Sequence, residues 1–431
     1  MLKRLNYSDP DFYSRLDQLL YRDIEENDAV EDQVRSIIKD IQIDGDDALL
    51  EYTKQLDNNH KPSIDELELS SSAITACYKR TNEGLIHSLE SAAERIRTFH
   101  EKEKLKSWEY TEQDGTVLGQ VITPVDKVGV YVPGGKAAYP SSVLMTAIPA
   151  KVAGVEEIIM TVPAPCGVIN DTVIASAAIA GVDRIFTVGG AQAIAALAYG
   201  TNTIPKVNKI VGPGNIFVAT AKKMVFGDVG IDMIAGPSEV VVICDELANP
   251  DWVTMDLFAQ AEHDELAQSI VITISEGMAE KILQSVESQL EKMERKQIIQ
   301  TSLRKNGAII EVKNLDQAAE LSNLIAPEHL ELMLDRPSEI MTKIKHAGAI
   351  FVGKYSAEVF GDYCAGPNHV LPTAGTAKFS SPLGVYDFQK RSSIVQVSEQ
   401  GANKMAEIAS VLAASEGLTA HQQSARYRLK S

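Results

Sequence analysis

Glu328 and His329 stand side by side in Ala326-Pro327-Glu328-His329-Leu330, joining a carboxylate to an imidazole of unperturbed pKa about 6.5, a pairing suited to moving protons near neutrality. Consecutive residues of a regular strand point to opposite faces, so both can enter one pocket only if Pro327 holds them in an irregular approach to the strand. Gln260 and His263 lie three apart in a predicted helix that Asn249 caps, with Pro250 in its first turn. Both then face one way and suit two ligands of one metal, although a solvated helix face has the same spacing. Gly361-Asp362-Tyr363-Cys364-Ala365-Gly366-Pro367-Asn368-His369 is the densest polar cluster; it offers Asp362 as a ligand carboxylate, or else forms a buried turn network. Ser238, in Ala235-Gly236-Pro237-Ser238-Glu239, lacks the frame of a nucleophile elbow and suits a substrate hydrogen bond or the cap of a turn. Thr419-Ala420-His421 places a further imidazole near the C-terminus, whereas His60, His87, His100 and His346 read as solvated surface.

Glycines mark a second kind of chemistry. Pro133-Gly134-Gly135, Gly189-Gly190 and Gly212-Pro213-Gly214-Asn215 sit where strands turn into helices, and such turns let backbone amides approach an anion or a cofactor. Gly212-x-Gly214-x-x-Phe217 is the nearest approach to a dinucleotide fingerprint and lacks its third glycine, so purely structural turn glycines fit as well.

The elements that must position these residues follow from periodicity. Residues 1 to about 100 read as helical, with Ala29 to Ile43, Gly45 to Leu56 and Thr75 to Lys102 carrying apolar residues at three and four spacing. Short β-rich runs then alternate with helices: runs at Gly129–Val132, Glu157–Val162, Arg184–Val188 and Lys209–Val211, helices at Ser142–Ala153, Asp171–Ala180, Ala191–Tyr199 and Ile216–Phe226. A second alternating stretch has runs at Glu239–Ile243, Ile270–Ile274, Ala308–Val312, His329–Leu334 and Ala349–Val352. Two parallel α/β units in tandem are predicted, with Ser356 to Pro382 as a functional loop and Asp387 to Ser431 as a small, mostly helical appendage.

Composition bounds the function. Among 431 residues, 41 Lys and Arg against 59 Asp and Glu leave a net charge of −18, which disfavours nucleic acids and anionic membranes as partners. The longest uncharged apolar runs, such as Thr172 to Val182, fall short of the ~20 residues that cross a bilayer, and Asp9, Asp11 and Asp17 interrupt any signal-peptide core, so a cytoplasmic location is expected. Cys77, Cys166, Cys244 and Cys364 lie far apart, against both a disulfide framework and a thiolate zinc site.

Read together, Ala235–Glu239, Gln260-Ala261-Glu262-His263, Ala326–Leu330, the Gly361 to Thr373 loop and Glu416-Gly417-Leu418-Thr419-Ala420-His421 resemble the histidinol dehydrogenase family over essentially the whole chain. The resemblance implies two Rossmann-like parallel α/β domains in tandem with small helical N-terminal and C-terminal appendages. Its division would be an arm at 1–26, a catalytic and metal-binding domain from 27–129 and 238–381, an NAD-binding domain at 130–237, and an appendage at 382–431 that reaches a partner subunit. It further implies oxidation of L-histidinol through L-histidinaldehyde to L-histidine with two NAD+ and one Zn2+. Metal ligation would fall to Gln260, His263, Asp362 and His421, and proton transfer to Glu328 and His329. NAD contacts would fall to Tyr131, Gln192 and Asn215, and substrate contacts to Ser238, Glu416, His369, His329 and the metal ligands. A homodimer with shared sites is implied. Two other classes stay open at this point: a zinc hydrolase acting on an imidazole would use the same ligands without forming NADH, and a scaffold protein would keep fold and metal without turnover.

Overall fold

The computed structural model describes residues 2–21, 28–134, 138–234 and 236–429. Gly135 and Ala235 of the motifs, and residues 22–26 of the expected N-terminal arm, lie outside the described residues.

Two parallel sheets organise the chain. One runs in the order Arg184–Phe186, Glu157–Thr161, Lys127–Tyr131, Lys209–Val211, Gly230–Ile231. The other runs Lys3–Asn6, Ala308–Glu311, Gln268–Thr273, Glu239–Cys244, His329–Met333, Ala349–Val352. Leaving aside Lys3–Asn6, each sheet places its strands, counted along the chain, in the order 3-2-1-4-5, so each reverses direction beside its first strand. Such a reversal opens a crevice where open α/β sheets hold ligands. Strands such as Glu239–Cys244 and Gln268–Thr273 are buried at every residue, as expected for parallel strands covered by helices on both faces.

Local chemistry sets the helix ends. The Asn170 side chain accepts from the amides of Thr172 and Val173, Asn215 from Val218, and Asn249 from Asp251 with Pro250 in the first turn, each satisfying amides that have no partner inside the helix. Asn82 does the same for Gly84 and Leu85, and it divides the single helix expected over Thr75 to Lys102 into Ser71–Arg80 and Glu83–His100.

Two further expectations are corrected. Lys3–Asn6 is a strand at the edge of the six-stranded sheet, paired in parallel with Ala308–Glu311, not part of a helical arm. Gln389–Gln396, in the expected helical appendage, is a strand paired antiparallel with Val117–Pro124, which also pairs with Trp108–Thr111. Val34, Ile41 and Leu49 share a core with Ile159 and Ile210 of the five-stranded sheet, and Leu89 and Ile96 share one with Val128, Ile158 and Val370.

Candidate active site

The six-stranded sheet brings Glu239 and His329 together as the first residues of adjacent strands, at the amino ends rather than the carboxyl ends where such sheets usually bind ligands. Just before His329 the chain is irregular: Ala326 takes φ 52°, and Pro327 and Glu328 precede the strand. The irregularity turns both side chains inward. Glu328 Oε2 accepts from the Glu239 backbone N–H at 2.8 Å and lies 3.7 Å from His329 Nδ1.

His329 is 4% exposed. Its Nδ1 lies 3.0 Å from the Glu239 carbonyl oxygen, which can only accept, so Nδ1 carries the proton. The other nitrogen, Nε2, is buried and faces Asp362 Oδ1 at 3.6 Å, a long contact, with no shorter hydrogen bond among the described residues. Burial pulls the imidazole pKa down, but the charges of Glu358, Glu328 and Asp362 outweigh it and hold the value well above the usual one. Burial would likewise raise Asp362, yet hydrogen bonding and charge from His329, with His369 and His263, hold it below the usual carboxylate range. Burial pushes Glu328 up to about 7.

Gln260 sits at the end of the helix Pro250–Ala261, wholly buried, with Nε2 3.2 Å from His329 Nδ1 and Oε1 without a partner. His263 lies in the turn after that helix, exposed, with Nδ1 3.3 Å from the Gln260 carbonyl. Asp362 projects from the short helix Glu358–Tyr363, and His369 Nδ1 lies 2.9 Å from the Asp362 carbonyl. Ser238 adjoins Glu239, half-buried, and its carbonyl accepts from Gln268.

Glu416 and His421 are not brought into this cluster. Both are exposed at the C-terminal helices Glu399–Ser415 and Thr419–Arg426, and neither side chain makes a hydrogen bond or ion pair with any described residue.

Several acids around His329 escape sequence reasoning. Glu358 and Glu331 are each 1% exposed, and Glu331 Oε1 accepts from the Glu358 N–H at 2.6 Å. Glu358 lies 3.6 Å from His329 Nδ1, and Asp256 adjoins Glu331, with burial raising the pKa of all three acids. The sequence does carry a signal: Glu331 interrupts the apolar strand two residues from His329, on the same face, and Glu358 precedes Asp362 by one helical turn. His100, read as surface, is wholly buried: its Nδ1 lies 3.1 Å from the Ile96 carbonyl and its Nε2 3.3 Å from Asn368 Nδ2, which anchors the loop next to His369.

A divalent cation fits this donor set. Ligand atoms of His329, Glu358 and Asp362 lie within 4.8 Å of one another, and the Gln260 oxygen is buried and unpartnered beside them. Of the four ligands expected from the sequence, only Asp362 belongs to that trio. All donors are oxygen or nitrogen, a set that accepts zinc and other divalent ions.

A second site lies at the carboxyl ends of the five-stranded sheet. Tyr131, Gln192 and Asn215 line one cavity of about 310 Å³ together with Gly134, Gly190 and Phe217. Tyr131 Oη accepts from the Gly190 N–H at 3.2 Å. Gly212 has φ 117°, and a Cβ there would meet the Tyr131 carbonyl oxygen at 2.0 Å, so only glycine fits. Asp232 accepts from the Gly212 N–H, Lys222 donates to its carbonyl, and the two side chains form a buried ion pair, which fixes the turn that delivers Asn215.

The family model described as histidinol dehydrogenase matches residues 20–429. A histidinol dehydrogenase of Hydrogenovibrio crunogenus is 57% identical over 429 residues, covering 100% of this chain and 99% of that protein. One of Pseudomonas putida is 56% identical, covering 99% of this chain and 97% of that protein. The crystal structure of histidinol dehydrogenase from Elizabethkingia anophelis superimposes with a TM-score of 0.94 at 34% identity, covering 99% of this chain and 98% of that one.

Proposed function

The chain belongs to the histidinol dehydrogenase family, the oxidoreductases of the last step of histidine biosynthesis, and from that premise we propose how its residues divide the work. The substrate is L-histidinol, oxidised through L-histidinaldehyde to L-histidine. When bound, NAD+ takes a hydride in each of the two oxidations, and a zinc ion orients the substrate and offsets the negative charge around His329. Gln260, His263, Asp362 and the partner subunit's His421 would hold that ion. Positioning of this kind lowers a barrier by removing the entropy of encounter.

One observation carries the reading: the buried pair Glu328 and His329, with Nδ1 committed to the Glu239 carbonyl and Nε2 facing Asp362 at 3.6 Å. With that charge offset the imidazole is neutral, and His329 Nε2 accepts the alcohol proton as hydride departs. The aldehyde yields a second hydride only after hydration, and the Glu328 carboxylate removes a proton from the attacking water. Ser238, His369 and the partner subunit's Glu416 contact the substrate beside the ligands. Tyr131, Gln192 and Asn215 contact NAD+ in the second cavity.

A homodimer with shared sites completes the reading. Glu416 and His421 lack side-chain partners among the described residues, and Ile408, Val411, Leu412 and Tyr427 of the same region are exposed, a surface that a second copy would cover. Among the described residues no helix is long and apolar enough to cross a membrane, and a cytoplasmic location with no nucleic-acid partner belongs to the same proposal. The test follows NADH absorbance on mixing protein, zinc, L-histidinol and NAD+. Two NADH per histidinol are expected; none would reject the assignment, and one with aldehyde accumulating would remove the second half-reaction.

A further inference from the structure

The cavity at the reversal of the five-stranded sheet holds more unsatisfied polar groups than its walls require. Gln192 is 1% exposed, and neither its Oε1 nor its Nε2 has a hydrogen-bond partner among the described residues. Asp57 lines the same cavity, and its Oδ2 is buried and equally without a partner among the described residues. Buried polar atoms left unpaired cost free energy, and a ligand that meets them recovers it. Ile37, Leu56 and Phe217 give the remaining wall an apolar surface suited to a flat base. A volume of about 310 Å³ lies at the low end for small-molecule sites and suits one nucleoside of a dinucleotide.

Dinucleotide folds of this strand order usually take the ribose hydroxyls on an acid at the end of the second strand. Here the second strand, Glu157–Thr161, continues as Val162-Pro163-Ala164-Pro165-Cys166, with no acid before Asp171. Asp57 comes instead from outside the sheet, as the last residue of the helix Asp46–Asp57. Its place is fixed on two sides. Asn58 takes a left-handed conformation at φ 50° and donates from Nδ2 to Cys166 Sγ at 3.4 Å, and the Gly189 backbone N–H donates to the Asp57 carboxylate.

We propose that Asp57 selects the cofactor: its carboxylate accepts the adenosine ribose hydroxyls of NAD+ and repels a ribose that carries a 2′-phosphate. The chemistry is asymmetric. A carboxylate accepts only, so a diol can pair with it and a phosphate dianion cannot. Among the described residues lining the cavity there is no Lys or Arg to offset a second phosphate charge. The inference rests on reading this cavity as the NAD+ site, and it adds the residue that discriminates between the two nicotinamide cofactors.

The experiment is calorimetric binding of ADP-ribose and of its 2′-phosphorylated form to the zinc-loaded protein, without turnover. Wild-type protein should bind ADP-ribose and prefer it at least tenfold. Asp57→Asn keeps an oxygen for the Gly189 N–H; it should weaken ADP-ribose and narrow the preference by roughly tenfold, the scale of one hydrogen bond to a charged group. Asp57→Ser, checked for an unchanged thermal midpoint, gives the same comparison should the amide disturb the turn. If wild-type protein binds neither analogue, the cavity is not the nucleotide site and the proposal falls with that reading. If ADP-ribose binds and both variants keep the wild-type preference, the cavity reading stands and the role of Asp57 is overturned.

Discussion

His329 Nδ1 lies 3.0 Å from the Glu239 carbonyl oxygen, and this contact with a group that can only accept decides which ring nitrogen does chemistry. It commits the proton to Nδ1 and leaves Nε2, buried beside Asp362, as the nitrogen that can take one. Because the partner is a backbone atom of the neighbouring strand, the sheet itself sets the tautomer.

The two members of the catalytic pair should separate kinetically. His329→Asn should slow both oxidations by roughly 10²- to 10⁴-fold, the usual scale of a lost general base. Glu328→Gln should slow oxidation of supplied L-histidinaldehyde far more than the first hydride transfer. Since burial raises Glu328 to about 7 and a base must be ionised, aldehyde oxidation should fall as pH drops below about 7, and that limb should be absent in Glu328→Gln. Equal losses in both half-reactions for Glu328→Gln would refute the division.

Metal removal should abolish turnover. A site of oxygen and nitrogen donors holds zinc less tightly than thiolates do and accepts other divalent ions, so chelation should strip it and zinc, cobalt or manganese should restore activity. Full activity in protein shown by elemental analysis to be metal-free would exclude the metal role.

Shared sites predict complementation. His421→Ala and Asp362→Ala, each inactive alone, are unfolded together and refolded as a mixture. Random pairing makes about half the dimers mixed, and each mixed dimer has one site with both residues intact, so roughly a quarter of all sites should recover. Activity at background with mixed dimers present would mean that His421 serves its own chain.

His100 predicts an acid limit on stability. Burial lowers its pKa from 6.5 to about 4, so the unfolded chain takes up a proton that the folded chain refuses. Stability from this group is complete above about 6.5 and falls as pH drops toward 4, by at most about 1.4 kcal/mol per pH unit. Thermal unfolding between pH 7.5 and 4.5, in wild type and in His100→Gln, measures it; identical pH slopes in the two proteins would rule out His100 as the source.

Periodicity made the alternating strands and helices of the two sheets legible, because fully buried parallel strands are continuous apolar runs. It hid Lys3–Asn6 and Gln389–Gln396, whose places at sheet edges leave most of their residues exposed and polar. Glu328, His329, Gln260 and Asp362 were readable as residue types with suitable spacing. Glu358 and Glu331 carried a weaker signal, Glu331 as an acid inside an apolar strand and Glu358 one turn before Asp362, and only the fold brings the two beside His329. His100 failed for the same reason: nothing local to Phe99-His100-Glu101 reveals that Asn368, 268 residues away, closes over its ring.

The edge strand Lys3–Asn6 pairs with Ala308–Glu311, so its pairing waits for residues that emerge from the ribosome some 300 positions later. At about 5 to 20 residues per second, the nascent chain holds that strand unpaired for roughly 15 to 60 seconds. Meanwhile every strand of the five-stranded sheet, from Lys127 to Ile231, has been synthesised and can assemble. The exposed pattern of Lys3, Arg4 and Asn6 around a single buried Leu5 suits that interval, because cationic side chains on an unpaired edge discourage it from joining another chain before its own partner arrives.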